Sequence, residues 1–306
     1  LKRDIIATMM IPVALLAGII MAYALGVQPH WLWIASFVLL GMPHGAYDVW
    51  RLHDRCRRPA VAGLMILLYL VTVACSFCLW QQFPVSSLFL FLLLTASHWG
   101  IADSYWIDHT MNLRRVCLGT IRGIWIVSLP IATDFRGATQ IMEEMVFQSS
   151  LRSFVFPKEW QMYFLLAGAT CLMAEVIFHL RNRRYMTLGE LTCLAVLAAS
   201  LPSSLFLAAY FIAVHSWRYL YERFSIEGAL FLSPTRWVII AGISLVIIPV
   251  WYHLHASNSR EFSGASLTAS YLIVIAAFTL PHAILLQIQD SLPGPSHRMI
   301  LPRGAL

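Results

Sequence analysis

Charge is what this sequence has least of. Asp, Glu, Lys and Arg make up 12% of the 306 residues, while 59% are hydrophobic; an ordinary soluble domain carries about 25% charged residues. Several stretches run for about 20 residues without a charge, the length needed to cross a bilayer. That balance excludes a soluble core wrapped in a solvated surface. Other features are missing as well. No A-x-A-like cleavage site follows the first apolar run, Ile5–Leu25, so it is expected to be a retained helix and not a signal peptide. There is no low-complexity tract and no polar stretch long enough for a second, soluble domain. The six cysteines form no disulfide framework. Cys75 and Cys78 have C-x-x-C spacing, but they lie mid-span with no histidine nearby in sequence, and read as small apolar core residues.

What is present is a succession of apolar segments. Ten candidate spans can be drawn, at 5–26, 30–50, 61–81, 85–107, 114–132, 159–180, 187–200, 203–223, 236–255 and 266–289. The expected fold is all-α, a polytopic transmembrane helical bundle forming one membrane domain over residues 1–306. The longest polar stretch, Asp134–Lys158, places Ile141, Met142, Met145, Val146 and Phe147 in the pattern of an amphipathic helix lying at the interface. The net charge of +6 follows from topology and not from nucleic-acid binding. The N-terminus, the loops after even-numbered spans and the span ends that flank them hold 16 Lys or Arg, the loops after odd-numbered spans 4. Positive loops face the cytoplasm. The expectation is a multi-pass protein of the cell inner (plasma) membrane with both termini cytoplasmic.

Ionisable residues inside a span are costly, about 2.5–3.5 kcal/mol for a charge on insertion scales, and mark function. Four histidines fall within spans two, four, eight and ten: His44, His98, His215 and His282. All four spans are even-numbered, so the helices run in the same direction. Each histidine lies about four turns into its span, so the four share one depth to within a turn or so. The remaining histidines, including His53, His109, His179 and His297 in or beside polar loops, read as interfacial. Proline stands directly before His44 and His282, where it opens the helix backbone. Asp48 follows His44 by four residues and can orient its imidazole; Asp103 follows His98 by five and is read in the same supporting role. A set of imidazoles without carboxylates suits iron, zinc or copper and not calcium or magnesium. Fe(II) with open positions is a plausible oxygenase centre.

Four segments carry a resemblance. Met42-Pro43-His44-Gly45-Ala46-Tyr47-Asp48, Ser97-His98-Trp99-Gly100-x-Ala102-Asp103, Val214-His215-Ser216-Trp217-Arg218-Tyr219-Leu220 and Leu280-Pro281-His282 together resemble the Brp/Blh-type membrane β-carotene 15,15′-dioxygenases. The resemblance implies cleavage of the central double bond of β-carotene with O2 to two retinal molecules, at a non-haem Fe(II) held by histidine. It implies β-carotene and O2 as substrates, the lipid bilayer as their source, an opsin as a candidate acceptor of retinal, and no nucleic-acid partner. His44, His98 and His215 match family histidines. The family often has a second histidine four residues after the third; here that position is Tyr219, which leaves His282 or Tyr219 to complete the site. Tyr47, Trp99, Tyr210, Trp217 and Phe278 lie within about two turns of the four histidines and are expected to line a tunnel for the polyene.

The alternative is a haem-binding transmembrane electron-transfer protein of the cytochrome b sort, with axial histidine pairs. Two stacked haems need ligands at two depths, and these four share one. A transporter would mix Asp and Glu with His in mid-membrane, whereas Glu175 and Glu190 are placed near span ends. A di-iron desaturase would need H-x-x-x-H boxes, and none is present.

Overall fold

The structure is a computed structural model. It describes residues 11–36, 59–104, 113–147, 154–221 and 263–291, together with Val38 and Gly41. Among these the protein is entirely helical, with ten α-helices and one π-helical segment. They are α1 (Ile11–Ala24), α2 (Pro29–Ser36), α3 (Pro59–Gln82), α4 (Pro84–Ser104), α5 (Leu113–Thr133), α6 (Phe135–Phe147), α7 (Glu159–Arg181), α8 (Tyr185–Ser200), α9 (Ser203–Tyr210) and α10 (Gly264–Ser291). The π-helical segment, Phe211–Ser216, continues α9. Proline opens α2, α3 and α4, where its fixed φ suits the first helical residue and its missing N–H costs nothing. α1 closes on Gly26 at φ +93°; Gly26 N donates to the Tyr23 carbonyl and Val27 N to the Ala22 carbonyl, the two bonds of a Schellman end. α7 ends the same way on Arg183, a non-glycine residue at φ +54°.

Five helices are long and apolar enough to cross a membrane: Gly63–Gln82, Pro84–Ser104, Leu113–Thr133, Glu159–Arg181 and Gly264–Ile284. The protein is accordingly a multi-pass membrane protein. Pro12–Ala24 and Tyr185–Ser200 are apolar but shorter, and the expected span 236–255 lies outside the described residues. The helices sort into centre and rim. The spans of α5 and α10 are 67% buried within the protein, those of α3 and α7 only 17%, so the latter two turn most of their apolar surface outward, as lipid contact requires. Cys75, Cys78, Cys117 and Cys193 are exposed. The expectation of core cysteines is thereby corrected: an apolar helix in a bilayer has an outward face as apolar as its inner one.

Among the described helices, α4 and α5 approach each other very closely. A Cβ at Gly100 would stand 1.9 Å from the Gly119 carbonyl oxygen, one at Gly119 2.6 Å from Ile101 Cα, and one at Gly123 1.6 Å from the Ala96 carbonyl oxygen. Backbone therefore lies on backbone along the seam. Gly119-x-x-x-Gly123 on α5 meets Ala96-x-x-x-Gly100 on α4, a small-residue pattern that drives helix association in lipid, where hydrophobic burial cannot. The seam holds the backbone of α4 on either side of His98, whose side chain turns away from it toward His215 and His282.

α6 is amphipathic and packs Ala138, Met142, Met145 and Val146 against the bundle, touching α10, α4 and α9. Asp134 ties its start to the start of α9: Oδ1 accepts from Gly137 N at 3.2 Å, and Oδ2 accepts from Ser203 N at 2.9 Å and Ser203 Oγ at 3.0 Å. At its other end Glu143 Oε1 accepts from Phe156 N at 3.1 Å. α6 is thus fastened as a roof over one end of α4, α9 and α10.

Candidate metal centre and apolar cavity

Three of the four predicted histidines come together. The His98 ring centroid lies 5.1 Å from that of His215 and 5.0 Å from that of His282, both edge to face. His98 is on α4, His215 in the π-helical segment and His282 on α10 directly after Pro281. His215 and His282 are 2% and 5% exposed. Metal–imidazole bonds of about 2.1 Å bring ligand rings around one ion to about this separation, and imidazole donors suit a transition metal. Among the described residues, no group of three or more His, Cys, Asp or Glu side chains is placed to hold an ion. His44, Asp48 and Tyr47 lie outside the described residues.

Asp103 is buried beside this cluster, but its partner differs from the expected one. His215 Nδ1 stands 3.5 Å from Asp103 Oδ1, the outer limit of a hydrogen bond, and Asp103 Oδ2 accepts from the Tyr210 hydroxyl. The reason is helical phase. Asp103 follows His98 by five residues on the same α-helix, and five residues overshoot an α-turn by more than a third. Tyr210 and His215 are also five apart, but the segment between them is π-helical, with i→i+5 hydrogen bonds. The wider turn nearly closes in five residues, so both side chains reach one carboxylate. Tyr210 was expected to line a tunnel. It is instead fully buried behind Trp99, its ring 5.6 Å away, with its hydroxyl committed to Asp103.

An apolar cavity opens beside the histidines. On α4 its wall is Leu88, Phe91, Leu92, Thr95 and Trp99. That stripe covers eleven residue steps, about 16 Å of helix. On α9 and its continuation the wall runs from Ser203 and Leu207 to Phe211. Trp99 and Phe211 end it at the histidine cluster, since both rings lie against His215, at 5.6 and 6.1 Å. α6 covers the other end with Ala138, Ile141, Met142 and Met145. Of the expected tunnel residues that the structure describes, Trp99 lines this cavity. Trp217 stacks on Tyr221 at 6.5 Å, and Phe278 lies 6.4 Å from Tyr69; neither is part of the cavity wall. Tyr219 is buried with its ring 6.2 Å from His282.

A second polar group was not foreseen. Arg122 on α5 is 1% exposed. Its Nη1 donates to Glu175 Oε1 at 3.1 Å and its Nη2 to Glu190 Oε1. Glu175 Oε2 also accepts from Trp125 Nε1 at 2.6 Å, and Glu190 Oε2 from Arg218 Nη2 at 2.6 Å. His179 Nε2 lies 3.4 Å from Glu175 Oε1 and the side chain is fully buried. This corrects two expectations. His179 is not interfacial, and Glu175 is buried although it lies near the end of its segment. The signal was available: a lone arginine in an apolar span requires counter-charges, and Glu175 and Glu190 are the carboxylates of the neighbouring apolar helices.

Comparison with known proteins settles the family. A family model described as Beta-carotene 15,15′-dioxygenase matches residues 35–290. The chain belongs to this family. It is 28% identical over 275 residues to a Beta-carotene 15,15′-dioxygenase of uncultured marine bacterium 66A03, covering 84% of this chain and 92% of the relative. It is 25% identical over 301 residues to the Probable beta-carotene 15,15′-dioxygenase Blh of Halobacterium salinarum, covering 85% and 84%. No solved structure matches the chain. As a member of the β-carotene 15,15′-dioxygenase family the protein is an enzyme, a carotenoid dioxygenase built of membrane helices.

Proposed function

We propose that the protein cleaves the central double bond of β-carotene with O2 to give two retinal molecules, at a non-haem Fe(II) held by His44, His98, His215 and His282. The observation that carries this reading is the meeting of His98, His215 and His282 at the end of an apolar cavity. The family supports the reaction and the donor chemistry supports the metal. His44 lies outside the described residues.

The reaction balances without proton donors: the double bond breaks, and each half takes one oxygen atom of O2 as its aldehyde. Bound iron would supply the activation of O2. The chain's own residues do the rest. The cavity wall excludes water and holds a rigid apolar polyene, with Trp99 and Phe211 fixing its approach to the histidines. Asp103, held by Tyr210, keeps the His215 ring turned so that Nε2 is left for the metal. The substrate enters from the lipid. A membrane topology with both termini cytoplasmic follows from the loop charges.

The haem alternative is disfavoured by geometry. Rings 5.0–5.1 Å apart and edge to face leave no slot for a flat macrocycle between them. Metal analysis of purified protein, paired with an assay for retinal from β-carotene, tests the reading. Iron without a Soret band, with retinal as product, is the expected result. His44→Ala, His98→Ala, His215→Ala and His282→Ala each abolish retinal formation and lower bound iron. Full activity in His282→Ala, or loss of iron in Tyr219→Ala, would move the fourth position to Tyr219.

A further inference from the structure

One cluster of charges takes no part in the chemistry proposed above. Arg114 stands in the first turn of α5, and Arg181, Arg183 and Arg184 run from the last residue of α7 to the residue before α8. α5 packs along α7, and α8 touches both, so these ends meet at one surface of the bundle. They meet around Phe178. The Arg114 guanidinium carbon stands 4.9 Å from the centre of the Phe178 ring, and that of Arg184 5.9 Å, both within cation–π reach. Arg114 Nη2 also donates to Asn182 Oδ1 at 3.4 Å.

Three observations separate this cluster from charges that only set topology. Orienting a span needs positive residues near its end, in no particular arrangement. Here two cations from different segments are gathered on one ring, against their mutual repulsion. Nearby carboxylates are also spoken for. α5 has no Asp or Glu, and Glu175 on α7 and Glu190 on α8 turn inward to Arg122 and Arg218. Finally, Arg183 is exposed and held at φ +54°, a left-handed position where glycine is the ordinary choice. An outward-facing arginine is thus kept where the backbone favours glycine.

The surroundings are apolar. Leu113, Leu180, Tyr185 and Met186 are all exposed beside the arginines in sequence. The spans Leu113–Thr133 and Glu159–Arg181 start and end here, which puts the cluster at the level of lipid headgroups. A molecule bound at this place meets guanidinium groups at one end and apolar side chains at the other, the two halves of a phospholipid.

We propose that the cluster binds the phosphate of an anionic phospholipid, in the leaflet that the loop charges assign to the cytoplasm. The arginine fork matches phosphate oxygens two at a time, and basic pockets between spans on that side suit such headgroups. One phosphate joins the start of α5 to the junction of α7 and α8. The proposal is independent of the carotenoid reaction.

The test uses the full chain, stripped of lipid in a neutral detergent. Phosphatidylglycerol, phosphatidylcholine with the same acyl chains, and inorganic phosphate are each titrated. Lipid retention is read by native mass spectrometry, and Tm alongside. Phosphatidylglycerol is retained and raises Tm, phosphatidylcholine binds about tenfold more weakly, and inorganic phosphate has no effect. Arg114→Gln and Arg184→Gln each weaken phosphatidylglycerol by about fivefold, the worth of one arginine at an anionic surface. Arg136→Gln, which removes an exposed arginine on α6, leaves it unchanged. Arg183→Gly separates binding from folding: Tm of the lipid-free protein rises while affinity for phosphatidylglycerol falls. Equal retention of the two lipids overturns the proposal, as does a preference that Arg114→Gln, Arg183→Gly and Arg184→Gln all leave intact. A rise in Tm with inorganic phosphate equal to that with phosphatidylglycerol also overturns it, since the site would then serve soluble anions.

Discussion

Two groups of polar side chains are buried in this bundle. One gathers His98, His215 and His282 beside an apolar cavity. The other joins Arg122, Glu175, Glu190 and Arg218, with Trp125 and His179 at its edge. The first is assembled from imidazoles, which are tolerated neutral in a dry interior and repel one another strongly only when charged. The second is assembled from full charges, each facing an opposite one. A buried ion pair earns little net stability, but removing one partner leaves an uncompensated charge. The two centres should therefore respond in opposite ways to substitution. Damage to the ionic group is felt in folding, and damage to the histidine group is felt in chemistry.

The largest effect is expected from Arg122→Met, which leaves Glu175 and Glu190 without their shared cation. A loss of about 3–5 kcal/mol is predicted, seen as a collapse of the monodisperse peak in detergent or a steep fall in Tm; a Tm within a few degrees of the parent would break the comparison. Next is Asp103→Asn. The Tyr210 hydroxyl keeps an acceptor and the fold survives, but the charge that orients His215 is gone. Retention of metal and the rate of retinal formation should drop by about 10–100-fold, as for other residues that orient a metal ligand, with Tm nearly unchanged. Trp125→Phe keeps the aromatic packing and removes the donor to Glu175; the predicted cost is about 1–2 kcal/mol, read as a lower Tm with kcat preserved. The smallest effect is on the backbone. Arg183→Gly relieves a left-handed residue at the end of α7, the helix that carries Glu175 and His179. It should stabilise by about 1 kcal/mol and leave retinal formation alone.

The two centres also differ in how far they could be read from sequence. The histidines stand out because each interrupts an apolar run, and counting along the spans was enough to suggest that His98, His215 and His282 meet. The helices themselves follow from the same runs, and α3, α4, α5, α7 and α8 lie within a few residues of their expected limits. The ionic group needed a different step. Its members sit on four separate segments, and no spacing rule along the chain connects Arg122 with residues 53 and 68 positions away. The α4–α5 seam was equally silent, since glycine in an apolar run reads as neutral until a second backbone is laid against it. Asp103 was read beside His98 and Tyr210 as a tunnel residue, whereas the structure pairs the Tyr210 hydroxyl with Asp103. That pairing sits next to a π-helical turn, of which hydropathy carries no trace.

That stretch, Phe211–Ser216, has a consequence for how the protein can vary. A π turn amounts to an α-helix that has accepted one extra residue. Deleting a single residue there would return the segment to α-helical bonding, which is the more stable form of backbone. The same deletion would swing His215 and everything after it around the helix axis relative to Tyr210, and Asp103 could no longer serve both. A shorter and sturdier version of this helix is thus one deletion away, and it would be a well-folded membrane protein with its third histidine facing elsewhere.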